Sequence, residues 1–522
     1  MKRRTRIFAI VLVVLHLAGF GIFFALRPQS GPAIPPDRKV DWVLPPGQFQ
    51  HKCGRVCFDT EPGNRGGFKD PDGRSLHFVG AVLDVAIDWS ESAPTLPFRE
   101  FKASGYNVIR VPVPWSDLEP EPMNVSAETL LAVRGFIDRA AAAGIAVILQ
   151  NQVPFSDIGP CQLNAGGPDW AFRVPVTGDP AQHGQCQDDG ADANDAARTQ
   201  ASASIRADRF FSDFLYADWT PDGLTLQDHL IRSWTKLAEV AGRSAGLLGY
   251  QIVSTTPCPG DATAGCTRAW QEFLDRFVQG VLAVADTSVF FIGSGGMDDR
   301  GRPDKTAGDR RAIAVLTEIV PSNADDYPGP YLSDVNGVFG LKHVPVIDFS
   351  GFISTVAGIE KRGRSFLVTI TDRVSAARFA KDGIDPFGRL MARPRPEQVS
   401  GIAPSWTFDR LRLPDGPGQM AEGPGTTDVF SLRFLTLPLR EGLRSETTVR
   451  LPVAHMYGEQ DRDGSPPFTV DVSDGTVEWL PGKSDTIVWR TDDSLSEHSM
   501  KIVPWGGRRL DFMTDLADIP AR

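Results

Sequence analysis

The sequence predicts a (β/α)8 barrel followed by an antiparallel β-sandwich, and three observations predict it. Short β-rich runs alternate with helical patterns from His77 to Gly293, the signature of parallel βαβ units. From about Arg393 helical periodicity fades, and short β runs follow one another between turn dipeptides such as Asp474-Gly475 and Pro481-Gly482. No glycine-rich phosphate fingerprint follows the first strand, as a doubly wound sheet, the alternative, usually carries.

Each element has its own reason. His77–Leu83 and Asn107–Pro112 read as strands. Ser126 is a helix cap, Leu130, Val133 and Ile137 share one face behind it, Gly144 stops the helix, and Ile145–Leu149 is the next strand. Thr225 caps a second helix with Leu226, Leu230, Trp234 and Leu237 on one side, leading into the strand Leu247–Val253. Val289–Gly293 follows a further helix, and the number of units over ~300 residues suits a closed eight-stranded barrel. In the C-terminal region the runs Val429–Leu435, Thr447–Leu451, Phe468–Val472, Thr476–Leu480, Thr486–Trp489 and Lys501–Val503 read as sandwich strands.

The composition of the 522-residue chain, 41% hydrophobic and 23% charged, is that of a globular protein. A net charge of −11 and no Lys/Arg-rich run beyond the first six residues argue against a nucleic-acid partner. Lys2, Arg3, Arg4 and Arg6 precede an apolar run from Ile7 to Leu26, long enough as a helix to cross a bilayer with the basic flank inside. We read residues 1–27 as a signal anchor and 28–50, rich in Pro and Gly, as a linker holding an extracytoplasmic body off the membrane. A cleaved signal peptide is the alternative, with a shorter apolar core and a small-x-small site; either reading exports the protein. The barrel is assigned to 51–390 and the sandwich to 391–522.

An oxidising compartment suits six cysteines in three local couples: Cys53 with Cys57, Cys161 with Cys186, and Cys258 with Cys266. Zinc is the alternative at Cys53-x-x-x-Cys57, but no second close Cys/His pair completes a tetrahedral set. The polar stretch Ser156–Arg209 holds Asp188, Asp189, Asp192 and Asp195, yet lacks the Gly and Glu of a calcium loop and reads as a solvated insertion.

GYNVIRVPVPWSDLEPEP at 105–122 and AAAGIAVIL at 141–149 resemble strand two to strand three of cellulase-type (family five) glycoside hydrolases. GGPDWAF at 166–172, DGLTLQDHLIRSWTKLAEVAG and LLGYQIV across 222–253, RPRPEQVSGIAPSWTFD at 393–409 and VSDGT at 472–476 resemble the endoglycoceramidase branch. The resemblance runs from about residue 60 to 505. It implies a glycan or glycolipid ligand and no cofactor.

Retaining glycosidases need two carboxyl groups, an acid/base and a nucleophile. The resemblance places the acid/base Glu in an Asn-Glu-Pro motif ending strand four. Here the stretch is GYQIVSTTPCPG at 249–260, which puts Thr256, or Thr255 with a one-residue shift, where that Glu belongs. A hydroxyl is far too weak an acid for the task. The nucleophile's place at the end of strand seven falls on Asp348 in PVIDFSGF, 345–352, one methylene short of Glu. RSFLVTITD at 364–372 competes for that place or forms strand eight, and Gln150-Asn151-Gln152 replaces the family's strand-three Asp-x-His-Gln. Arg110, ending strand two, matches the arginine that orients the nucleophile, with Asp348 its expected partner; a plain structural ion pair is the alternative. Trp115, Trp170 and Trp219 stand at expected strand ends or loops, and Trp170, inside the matched GGPDWAF, is the foremost sugar contact. Gln152 joins Arg110, Trp115 and Trp170 as a candidate substrate-binding residue, whereas Glu119 reads as a structural or helix N-terminal charge. The favoured reading is therefore a glycan-binding protein with a degenerate catalytic pair. The alternatives are an active glycosidase with relocated carboxylates, among Asp157, Glu318 and Asp372, and a structural envelope module.

Overall fold

In this computed structural model the described residues are 55–59, 67–83, 87, 89, 96–152, 166–171, 210–215, 222–252, 264–293, 313–319, 331–334, 356–361, 363, 365–369, 380–382, 393–408, 429–436, 445–451, 468–480, 486–492 and 495–504. Three short strands, β1 (Cys57–Asp59), β2 (Gly67–Lys69) and β3 (Ser75–Leu76), lead into β4 (Val79–Val82). Helix α1 (Phe98–Ala103), β5 (Val108–Pro114), α2 (Trp115–Leu118), α3 (Ala127–Ala142) and β6 (Ala146–Gln152) follow. Next come α4 (Leu226–Ala241), β7 (Leu247–Ile252), α5 (Ala264–Leu282), β8 (Phe290–Gly293), β9 (Ile313–Ile319), β10 (Tyr331–Asp334) and β11 (Phe366–Thr369).

Strand β11 and then β4 through β9 form one curled parallel sheet, and β10 closes it by pairing antiparallel with both β9 and β11. The expectation of eight parallel strands is corrected at β10. Only residues 320–330 separate β9 from β10, fewer than the dozen or so a parallel crossover needs. The strands alternate as a curled sheet must. Val82, Val108, Ile148, Phe291 and Leu367 form one apolar cluster on the concave side, closed from below by Phe68 of β2. Their neighbours Ile109, Val111, Val147 and Leu149 pack instead with helix residues such as Val133, Leu230 and Phe277. Gly80 lies so close to β5 that a Cβ there would sit 2.2 Å from the Val108 carbonyl oxygen.

The helices begin where their caps dictate. Ser126 Oγ accepts from the Thr129 amide at 3.1 Å, and Gly144, at φ +74, turns the chain out of α3. Thr225 and Asp228 form a reciprocal capping box at the start of α4.

The C-terminal strands are β12 (Arg395–Val399), β13 (Gly401–Phe408), β14 (Phe430–Thr436), β15 (Glu446–Arg450), β16 (Phe468–Val472), β17 (Thr476–Leu480), β18 (Thr486–Arg490) and β19 (Glu497–Pro504). They form two antiparallel sheets, one of seven strands in the order β1-β2-β3-β12-β15-β18-β17 and one of four in the order β13-β14-β19-β16. A single apolar cluster takes Val449, Ile487 and Trp489 from the first and Trp406, Phe434 and Ile502 from the second. The amino-terminal strands thus complete the carboxy-terminal sheet.

Polar bolts join the parallel sheet to this β-region. Lys102 Nζ pairs with Glu397 at 2.5 Å; within the β-region, Ser75 Oγ of β3 donates to the Gly401 carbonyl of β13 at 3.0 Å and links its two sheets. Glu360, 1% exposed, takes Arg393 at 2.6 Å and Arg395 at 2.7 Å. Removing one partner from such a buried charge cluster strands the others. Glu360→Ala should lower stability by ~3–5 kcal/mol in urea unfolding, with Glu360→Gln costing less because it still accepts a hydrogen bond.

Candidate functional site

Strands β5, β6 and β7 direct polar side chains toward their C-terminal ends, where folds of this type place their sites. Arg110 of β5 is 3% exposed, and its Nη1 donates to Oε1 of Gln251 on β7 at 2.8 Å. The expected partner Asp348 lies outside the described residues; Gln251 is one of the groups that meet this guanidinium. Gln251 Nε2 is buried without a hydrogen-bond partner among the described residues, as are both polar side-chain atoms of Asn151 on β6. Gln150 and Gln152 are half-buried. Gly166, at φ +79, lies against the strand end: a Cβ there would stand 2.5 Å from the Gln152 carbonyl oxygen. The Gly166 carbonyl accepts from the Ser116 amide at 2.9 Å, which ties the GGPDW turn to α2.

That turn carries Trp170, which is half-buried. Its indole N–H donates to the Glu119 carbonyl oxygen at 3.0 Å, and its ring lies 5.3 Å from Trp115 and 4.8 Å from His229. Trp115 is wholly buried and gives its indole N–H to Glu119 Oε2 at 3.1 Å. The expectation that Trp115 offers a face to a ligand is corrected: its N–H is drawn inward by a buried carboxylate, and its ring belongs to the core.

Glu119 itself is fully buried and accepts four hydrogen bonds. Trp115 Nε1 and Ser233 Oγ (2.8 Å) reach Oε2, and the Met123 amide (2.9 Å) and His229 Nδ1 (2.7 Å) reach Oε1. The Met123 amide arrives through a left-handed backbone at φ 67, uncommon for a residue with a side chain, and Arg232 Nη1 donates to its carbonyl at 3.1 Å. His229 Nε2 faces Asp222 at 3.1 Å. Burial pushes the His229 pKa down, but the hydrogen bond and charge of Glu119, followed by those of Asp222, outweigh it and leave it above the usual imidazole range. The reading of Glu119 as structural agrees with this arrangement. His229, Ser233 and Gln251 were missed as polar residues of the site; the one hint was two polar residues four apart on the apolar side of α4.

A cavity of about 520 Å³ opens at the opposite, N-terminal face of the parallel sheet. Its charges are internally matched: Asp70 with Arg74 at 2.7 Å, Lys102 with Glu397. Burial holds the His77 imidazole in its wall neutral, with its pKa near 3. Among the described residues no His/Cys/Asp/Glu group is arranged to hold a metal ion.

Cys266 on α5 is disulfide-bonded to a cysteine whose side chain is not described, so none of the three expected couples is placed. Cys57 is described in backbone only; Cys53, Cys161, Cys186 and Cys258 lie outside the described residues, as do Thr255, Thr256, Trp219, Asp157 and Asp372 and the side chain of Glu318 on β9. Residues 1–50 lie outside them too, and among the described residues no helix is long and apolar enough to cross a membrane.

No family model and no curated protein matches the sequence. Solved structures do. Endo-glycoceramidase II from Rhodococcus sp. superposes with a TM-score of 0.55 at 16% identity, over 84% of this chain and 99% of that one. The fold is that of an endo-glycoceramidase. The same Rhodococcus protein has been solved with ganglioside GM3 and as a lactosyl-enzyme intermediate. Sterylglucosidase 1 from Cryptococcus neoformans superposes with a TM-score of 0.51 at 11% identity, over 90% of this chain and 99% of that one.

Two outcomes are expected at this site. Gln251→Leu removes one acceptor from a buried guanidinium and should lower stability by ~1–2 kcal/mol in denaturant unfolding, while Gln251→Glu should not. His229 has a folded pKa above its unfolded one, so its contribution is complete below about pH 6.5 and is lost as pH rises through the folded value. Thermal denaturation across that range should show the wild type losing stability toward alkaline pH and His229→Gln showing a flatter profile.

Proposed function

We propose that this chain is an exported, membrane-anchored, glycoside-hydrolase-like protein that binds a glycan or glycolipid and has a degenerate catalytic pair. The observation that carries the reading is the correspondence with an endo-glycoceramidase over 84% of the chain; beside it, the sequence resemblance expects the acid/base where Thr256, or Thr255, stands. The relative's complex with ganglioside GM3 supports a glycolipid as the ligand class. Shared apolar packing supports reading the two antiparallel sheets as a sandwich behind the barrel. Anchoring by residues 1–27 rests on the basic flank and the apolar run from Ile7 to Leu26.

The chemistry follows from what each group can do. A threonine hydroxyl at position 256 cannot protonate a departing glycosidic oxygen at neutral pH, so leaving-group departure lacks its usual acid. An Asp348 carboxylate held back by one methylene loses the close approach that covalent attack needs. Binding needs neither group. Half-buried amides at Gln150 and Gln152 supply paired donors and acceptors for hydroxyls, and Trp170 supplies an aromatic face.

Isothermal titration with GM3 and with cellobiose should show binding that Trp170→Ala weakens roughly tenfold or more, the loss of one aromatic contact. A parallel hydrolysis assay should show no turnover. Turnover abolished by Asp348→Ala would overturn the non-catalytic reading.

A further inference from the structure

His229 sits between two carboxylates that come from different parts of the chain. Its Nδ1 is 2.7 Å from Oε1 of Glu119, in the segment after α2, and its Nε2 is 3.1 Å from Asp222, just before α4. A carboxylate only accepts hydrogen bonds, and a neutral imidazole has one N–H to give. Both contacts are therefore hydrogen bonds only while the ring carries two protons. The same ring packs at 4.8 Å against the Trp170 indole, whose N–H is held by the Glu119 carbonyl oxygen.

We propose that His229 is a proton-gated positioning residue for Trp170, fixing the indole that faces the ligand only while both ring nitrogens are protonated. This rests on the reading of Trp170 as a glycan contact. Loss of one proton sets a nitrogen lone pair against a carboxylate. Glu119 is the fully buried partner and is held by three other donors, whereas the Asp222 side chain, which also accepts from the Leu224 amide at 3.2 Å, is 26% exposed and open to solvation by water. The bond to Asp222 is thus the one released, and the ring that backs Trp170 loses one of its two anchors. Other charges on the elements packed here are already engaged. Arg232 turns to the Met123 carbonyl, Asp228 pairs with Arg276 of α5, and Arg134 of α3 pairs with Asp138 at the exposed surface. Asp117 of α2 accepts from Ser116. The raised pKa of His229 puts the release on the alkaline side of its usual range.

The experiment follows the Trp170 indole N–H by 15N NMR of the full-length protein, with the resonance assigned by Trp170→Phe, as pH is raised from about 6 to 9. GM3 and cellobiose affinities are titrated alongside. The indole signal should move with one midpoint above about 6.5, and affinity should fall roughly fivefold to tenfold across it, the worth of one hydrogen-bonded contact. Asp222→Asn, which keeps the ring but removes one anionic neighbour, should shift the midpoint down, and His229→Gln should abolish it. An indole signal that does not titrate, or that titrates identically in Asp222→Asn, overturns the gate. If the indole titrates as expected but neither ligand binds at any pH, the link from His229 to Trp170 stands and the glycan-binding reading fails.

Discussion

A single buried carboxylate organises the rim of the parallel sheet. Glu119 collects donors from α2, from the strained turn at Met123 and from two turns of α4, and its own carbonyl oxygen holds Trp170. A charge removed from water is tolerated only when its lone pairs are met, and here four donors meet them. The constraint propagates outward. Trp115 is turned into the core, Met123 is forced into a left-handed backbone, and the GGPDW turn is pinned against the end of β6. The candidate ligand contact and the buried ionic knot are the two faces of one structure.

At the other end, segments from before and after the parallel sheet meet. Strands β1–β3 precede the parallel sheet yet extend the sheet built by β12, β15, β18 and β17, so two distant parts of the chain share one sheet. Lys102 with Glu397, and Glu360 with Arg393 and Arg395, fix the parallel sheet to that β-region. Burial alone would depress Lys102 and raise Glu397; the mutual attraction, helped by Arg450 on the acid, leaves Glu397 below the usual carboxylate range. These junctions lie far from the strands' C-terminal ends and hold the frame against which Arg110 and Gln251 meet.

Much of this frame was legible in the residues. The strands at Val108, Ala146, Leu247 and Phe290 begin within a residue of where alternation placed them, although β5 and β6 run on to Pro114 and Gln152, and Ser126 and Thr225 cap the helices they were expected to cap. Phe468–Val472 and Thr476–Leu480 agree with expectation residue for residue. Strands β12 and β13 are absent from the strands expected from the sequence; Pro396 and Pro404 interrupt their pattern. The amino-terminal strands are two or three residues long, too short for periodicity, and acquire their meaning from partners more than three hundred residues away. The antiparallel sense of β10 is set by a connection length, which a strand pattern does not carry. Within the site, Arg110 was found from its motif, but its contact with Gln251 bridges β5 and β7 and follows only from the curl of the sheet.

As proposed, a glycan bound at this site is left intact. Saturation-transfer NMR on GM3 in detergent micelles, followed over days with the full-length protein, reads both halves at once. Saturation should reach the sugar protons while the anomeric signals of the glycolipid stay constant. The appearance of a free oligosaccharide's reducing-end signals, absent without the protein, would contradict it.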